Sequence, residues 1–563
     1  MKSKYRKSFF TFSLSFVLLI GGIVLLRVPI ENISKADTRL RSFVKQANQD
    51  YEDPFENYFN EGQFNLDIQH YNISVELDHI NEILAGKVIL KGKFTGTPAR
   101  MICLNLHDNM KISKVKLNTE EVNYSHDNTT LEIENEKLFT EYFIEIVYEG
   151  QPKSLGFGSF EFGNYESKPV IYTLSEPNHA STWFPCNDLP DDKATLEMNI
   201  KADSNLTSIS NGVLDSVTTY NDKRIFHWST KYPISTYLVC INTGYYKEFT
   251  QKYITDEHEM DLEFYVFENH YEKARKDFDD HVLYLDFFGK TFGEYPFIND
   301  KYGIVEFLWG RGAMEHQTIT GFSYNFITGQ KRFERIMLHE LAHQWWGNAV
   351  GLKSWKDIWL NEGFATYSEA LYYENRDGPK ALQRYMKNFF GYYEHSTLYN
   401  PEGNLFSATV YRKGAWVLHM LRKEVGDNIF FEILRNYYDT YKYKNASTYD
   451  FKETAEKISG RNLNKFFDQW VFDGTGIVDL KYKLNYAEDN NIYNASLLLK
   501  QVQYRYKEFH FPLDVKINDE IYNFYINTSD TVVEIKLNEK PADVKLDPDV
   551  WLLSNITRLE ETE

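Results

Sequence analysis

The chain has 563 residues, 42% of them hydrophobic and 16% aromatic with only 15 prolines, which supplies several cores and excludes a disordered or low-complexity chain. Its 81 acidic against 62 basic residues leave a net charge of −19 without long runs of one sign, which reads as a solvated acidic surface, argues against nucleic-acid binding and would also fit a weak attraction for cationic substrates. Three scattered cysteines, Cys103, Cys186 and Cys240, form no CxxC pair, so a disulfide framework, a disulfide-linked dimer and a thiolate metal site are not indicated. Any metal must be held by nitrogen and oxygen, and the expected state is a monomer or a non-covalent oligomer.

At the N-terminus Lys2, Lys4, Arg6 and Lys7 precede an uncharged, mostly apolar stretch from Phe9 to Leu26. It exceeds the roughly 7 to 15 residues of a signal-peptide core and reaches the lower edge of a membrane span. Residues 1–27 are therefore expected to be a signal anchor, with a signal peptide cleaved near Ser34-Lys35-Ala36 as the alternative. Either way the positive cluster stays in the cytoplasm and the rest lies outside it, membrane-anchored or secreted. Residues 28–60 are polar and turn-rich and read as a linker.

From 61 to 250, stretches such as "YNISVELD", "GKVILKGKF" and "YFIEIVYEG" alternate apolar and polar residues between turn signals. That period-two pattern predicts an antiparallel β-domain. Across 251–475 the period moves toward helix, in "RFERIMLHELAHQWWGN" and "GFATYSEALYYENRDG", with a break at Gly378-Pro379. Strand patterns return over 476–563, and a small β-sandwich is expected there. The fold class is multidomain α+β.

The helical region carries "HELAH". On a helix His339 and His343 stand four apart, so both imidazoles project from one face about 6 Å apart, as two ligands of one zinc require. Glu340 is placed beside that site as a base for the attacking water. Eighteen residues separate His343 from Glu362, a carboxylate in an apolar neighbourhood that completes a two-histidine, one-glutamate set and leaves a fourth position open. Glu369, two helical turns past Glu362, is a candidate hydrogen-bond partner for a ligating histidine, with a plain core-edge glutamate as the alternative.

HELAH followed by "NEGFA", preceded by "GAMEH" (Gly312 to His316) and followed by "VYRKGA" (Val410 to Ala415), resembles the zinc aminopeptidases of the aminopeptidase N and leukotriene hydrolase family. Upstream, "EPNHASTWFPCNDLPDDKAT" resembles the part of that family's N-terminal β-domain that closes the cleft. The resemblance covers roughly residues 60 to 475 and implies a thermolysin-like catalytic domain with one zinc on His339, His343 and Glu362. It implies Glu340 as general base and Tyr411 as donor to the oxyanion of the tetrahedral intermediate. Glu315, helped by Glu176, would grip the free α-amino group of a peptide, and Gly312, Ala313 and Met314 would form an edge strand along which the peptide lies.

Two departures stand out. His316 replaces the asparagine usual in that motif, which alters a substrate-side hydrogen bond. The large helical domain that covers the cleft in many members has no counterpart after the small β-domain, which implies a more open site. The expected activity is release of single residues from peptides with a free N-terminus. A zinc endopeptidase, and a catalytically idle ectodomain that binds peptides or a partner, are the alternatives; Glu315 and Glu176 speak against the first, and the intact set of His339, Glu340, His343, Glu362 and Tyr411 against the second.

Overall fold

The computed structural model describes residues 59–490 and 492–559. The strand Leu66–Asp78 shows in three dimensions the alternation of its sequence: Leu66, Ile68, Tyr71, Ile73, Val75 and Leu77 are buried. An irregularity between Ile68 and His70 inserts one residue and shifts the alternation accordingly. The strand pairs antiparallel with Ile83–Phe94 and parallel with Ala194–Asp203 within an eight-stranded sheet. A four-stranded sheet of the same region contains Lys168–Thr173, whose end delivers Leu174 and Glu176 to the cleft.

A second unit is built on a five-stranded sheet in the order Tyr246–Ile254, Glu259–Phe267, Tyr302–Phe307, Thr320–Ser323, Ala313–Met314. Every residue of Tyr302–Phe307 is buried, and it runs parallel to both neighbours, as a strand covered on two faces does. Ala313–Met314 is the last strand and leaves an open edge. Because Tyr246–Ile254 pairs into this sheet, the unit begins a few residues before 251.

Four helices matter for the site: α1 (His281–Phe292), α2 (Glu334–His343), α3 (Trp359–Asp377) and α4 (Gly414–Val425). Helix α3 is buried without interruption from Trp359 to Tyr372, so its sequence is apolar or neutralised on every face. It ends where Gly378 adopts φ 82° ahead of Pro379, a conformation that favours glycine. Helices α3 and α4 meet at Gly363 and Gly414, where a Cβ on either glycine would fall within 3 Å of the other's backbone.

The C-terminal part has a four-stranded sheet containing Val478–Asp489 and Ile492–Gln501 and a three-stranded sheet containing Phe511–Ile517 and Glu520–Ile526. The molecule is thus mixed α+β, with β-rich ends around a helical centre. Cys103, Cys186 and Cys240 are buried free thiols. Among the described residues no helix is long and apolar enough to cross a membrane; the expected anchor (1–27) and nearly all of the expected linker (28–60) lie outside them.

Candidate active site

Helix α2 presents His339 and His343 on one face, and their Nε2 atoms approach to 3.0 Å. Glu362, in the first turn of α3, brings Oε2 to 3.2 Å from His339 Nε2 and 3.4 Å from His343 Nε2. The other ring nitrogens are occupied. His339 Nδ1 lies 2.7 Å from Glu369 Oε1, and His343 Nδ1 donates to the Trp346 carbonyl at 2.9 Å. With Nδ1 protonated on both rings, both Nε2 lone pairs face the Glu362 carboxylate, and such a convergent donor set fits one zinc ion.

Glu369 is itself fixed: the Tyr385 hydroxyl donates to it, and Arg335 Nε stands 3.7 Å away. Burial acts on the carboxyls of Glu340 and Glu362 alike, with opposite outcomes. It pushes Glu340 up to about 8, against the pull of His339 and with added repulsion from Glu315. Glu362 goes the other way, to about 2, because His343 and His339 overcome the same desolvation.

Three carboxylates, Glu176, Glu315 and Glu362, bring oxygens within 4.8 Å of one another. Burial raises Glu176 well above the carboxylate range, and Glu315 adds to it. Glu176 Oε1 and Glu315 Oε1 are buried without a hydrogen-bond partner. Buried acceptors of this kind call for a cation or a donor.

Tyr411 sits on a π-helical turn, Thr409–Lys413, that runs into α4. Its ring stacks on His339 at 5.9 Å, and burial raises its hydroxyl well above the phenol value, so it remains a donor. Such a turn re-aims a side chain without breaking the helix.

Glu176, Glu315, His339, Glu340, His343, Glu362 and Tyr411 line one cleft together with Gly312, Ala313 and Met314. The remaining walls are apolar: Phe157, Leu174, Trp309 and Phe406. Phe157, from the β-domain, lies 5.5 Å from Trp309 and 5.3 Å from Phe406 between ring centroids. At the cleft, His339, Glu340, His343 and Glu362 are each at most 3% exposed.

His316 departs from its expected place. It is wholly buried and is not among the residues that line the cleft. Burial drives its ring down to about 3, leaving it neutral. Sequence reasoning also missed Tyr237, whose buried hydroxyl accepts from Asn361 Nδ2 at 3.3 Å beside Glu362, and the ring contacts of Phe157 with Trp309 and Phe406. No spacing marks these residues among 41 tyrosines and 41 phenylalanines.

Residues 68–238 match the Peptidase M1 N-terminal domain and residues 277–470 the Peptidase family M1 domain. Together these take in well over half of the chain, and the chain belongs to peptidase family M1. It is 25% identical over 516 residues to "Probable aminopeptidase 2" of Sulfurisphaera tokodaii, covering 86% of this chain and 63% of that protein. It is 27% identical over 443 residues to aminopeptidase N of Lactococcus lactis, covering 72% and 50%. The chain thus spans less than two thirds of the length of these relatives.

Among solved structures, an M1 zinc metallopeptidase of Deinococcus radiodurans bound to a Tyr-Ser-Ala substrate is similar at 25% identity and TM-score 0.65, over 73% of this chain and 95% of that one. Aminopeptidase A of Legionella pneumophila shares the fold at TM-score 0.79 and 19% identity, over 88% of this chain and 60% of that one. The family implies one zinc ion per chain, and His339, His343 and Glu362 are able to hold it.

Proposed function

We propose that the protein is a zinc-dependent aminopeptidase that releases single residues from the free N-terminus of peptides. The observation that carries this reading is the pair of buried oxygens without a hydrogen-bond partner, Glu176 Oε1 and Glu315 Oε1, beside the metal-ligand set. Two carboxylates there recognise an ammonium group and leave room for one residue before the scissile bond. An endopeptidase has no use for them.

Zinc on His339, His343 and Glu362 would supply Lewis acidity at the scissile carbonyl and lower the pKa of the attacking water. Glu340 accepts the proton of that water and hands it to the departing amine. The Tyr411 hydroxyl donates to the oxygen that becomes negative. The open edge of Ala313–Met314 pairs with the substrate backbone as an added strand.

Once these roles are assigned, the cleft lining left to meet the first side chain is Phe157, Leu174, Trp309, Met314 and Phe406, with no lysine or arginine among them. The reading therefore includes preference for an apolar first residue. The leader's apolar segment supports an enzyme held at a membrane with its catalytic part outside the cytoplasm.

The test is a pair of variants. Glu340→Gln is expected to keep zinc and fold while turnover falls by orders of magnitude; Glu315→Ala is expected to weaken binding of uncapped peptides. Wild-type turnover by Glu340→Gln would refute the mechanism.

A further inference from the structure

Lys193 belongs to the β-domain, immediately before the strand Ala194–Asp203, yet its side chain reaches the catalytic unit. Its Nζ donates to the main-chain carbonyl of Asn348 at 2.7 Å and to that of Ala349 at 3.1 Å. No carboxylate lies within ion-pair distance of it among the described residues. A desolvated ammonium satisfied by two carbonyls alone is a costly way to join two domains, which points to a task at those carbonyls.

The turn it grips, residues 346–349, follows α2 directly and serves the site twice. The Trp346 carbonyl accepts from His343 Nδ1 at 2.9 Å and so fixes which ring nitrogen faces the metal. Asn348 donates through Nδ2 to the Glu315 carbonyl at 2.6 Å and through its main-chain N–H to the His343 carbonyl at 3.0 Å. Neither of these bonds involves a residue that is otherwise anchored to the β-domain through this turn.

We propose that Lys193 is a positioning residue: from the β-domain it holds the 346–349 turn that aims His343 at the metal and Glu315 at the substrate amine. Space around it is shaped for this. A Cβ on Gly351 would stand 2.6 Å from Lys193 Cε and 2.8 Å from its Nζ, and also 2.8 Å from Asn445 Nδ2, so a larger residue there displaces the lysine end, the Asn445 amide or both. The inference rests on the aminopeptidase reading for its substrate arm and on the metal site alone for its zinc arm.

Lys301 provides the control. It too crosses the domain boundary, donating to the carbonyls of Ser210 at 3.1 Å and Gly212 at 2.6 Å, and it touches none of the site residues named above. Lys301 also pairs with Glu263 at 3.7 Å, so its loss costs cohesion at least as much as that of Lys193; a role in cohesion alone predicts that neither variant alters the metal site, whereas a positioning role predicts that only Lys193→Met does.

Zinc affinity is measured on chelator-stripped full chain by competition with a chromophoric chelator, for the wild type, Lys193→Met, Gly351→Ala and Lys301→Met. The same four proteins are assayed on one apolar aminoacyl-amide, free and N-acetylated. Lys193→Met and Gly351→Ala are expected to lose about tenfold or more in zinc affinity and several-fold in preference for the free amine, whereas Lys301→Met lowers only the melting temperature. Wild-type zinc affinity and wild-type preference in both site variants would overturn the proposal. Gly351→Ala keeps the lysine and decides the question if Lys193→Met does not fold. Should the wild type fail to hydrolyse the free substrate, the aminopeptidase reading falls while the zinc measurement still decides the role of Lys193.

Discussion

Gly363 and Gly414 pack backbone against backbone: a Cβ on Gly363 would stand 2.9 Å from Gly414 Cα, and one on Gly414 2.8 Å from Gly363 Cα. Gly363 follows the ligand Glu362, and Gly414 opens the helix whose preceding turn carries Tyr411. On the proposed roles, this contact would govern the spacing between Glu362 as metal ligand and Tyr411 as oxyanion donor. Gly363→Ala forces the two helices apart by a fraction of an ångström to an ångström. We expect kcat to fall by about 10²-fold with zinc content unchanged, because misplacement of that size disrupts the reacting geometry. Zinc stoichiometry and steady-state kinetics on the purified variant check this, and unaltered kcat would show that the contact does not position Tyr411.

Glu369 holds His339 Nδ1 at 2.7 Å and is braced by Tyr385 and Arg335. Glu369→Gln keeps the shape and removes the charge that raises the basicity of the ring. A loss of zinc affinity of about 10- to 100-fold is expected, read by chelator competition. Affinity equal to the wild type would make Glu369 an ordinary core glutamate.

Much of this arrangement was legible in the sequence, for a physical reason. His339, Glu340, His343, Glu362 and Glu369 lie on two continuous helices, where spacing along the chain fixes direction in space. Strand alternation likewise announced Leu66–Asp78 and its partners. What helices and strands do not fix is which loops meet across a cleft. Phe157 reaches Phe406 through a tertiary contact spanning some 250 positions, and neither that contact nor the reach of Lys193 has a signature along the chain. The burial of His316 away from the cleft lining has no signature either, because the motif names a residue without giving its direction. Tyr411 was singled out only through resemblance; its π-helical turn follows from no periodicity.

Tyr411→Phe removes one donor to the developing oxyanion and little else, since its ring stacking on His339 is kept. The expected result is a drop in kcat of about 10²- to 10³-fold with KM nearly unchanged. A rise in KM at constant kcat would assign the hydroxyl to ground-state binding instead.

The apolar lining predicts a ranking of first residues. In a panel of aminoacyl-amides, leucine, methionine and phenylalanine are expected to be cleaved well ahead of glutamate and lysine, because Phe157, Leu174, Trp309, Met314 and Phe406 offer a charge no partner. Phe157→Ala, which removes the ring contacts with Trp309 and Phe406, is expected to extend cleavage to bulkier first residues such as tryptophan. Preference for a charged first residue would contradict the assignment of these side chains to that pocket.

The central claim is that a zinc site and an amine-binding carboxylate pair act on the same peptide end. Its most direct test is hydrolysis of one apolar aminoacyl-amide, free and N-acetylated, with and without a zinc chelator. The account predicts release from the free substrate only, abolished by the chelator and restored by added zinc. Equal release from the acetylated substrate, or release that survives complete removal of the metal, would contradict it.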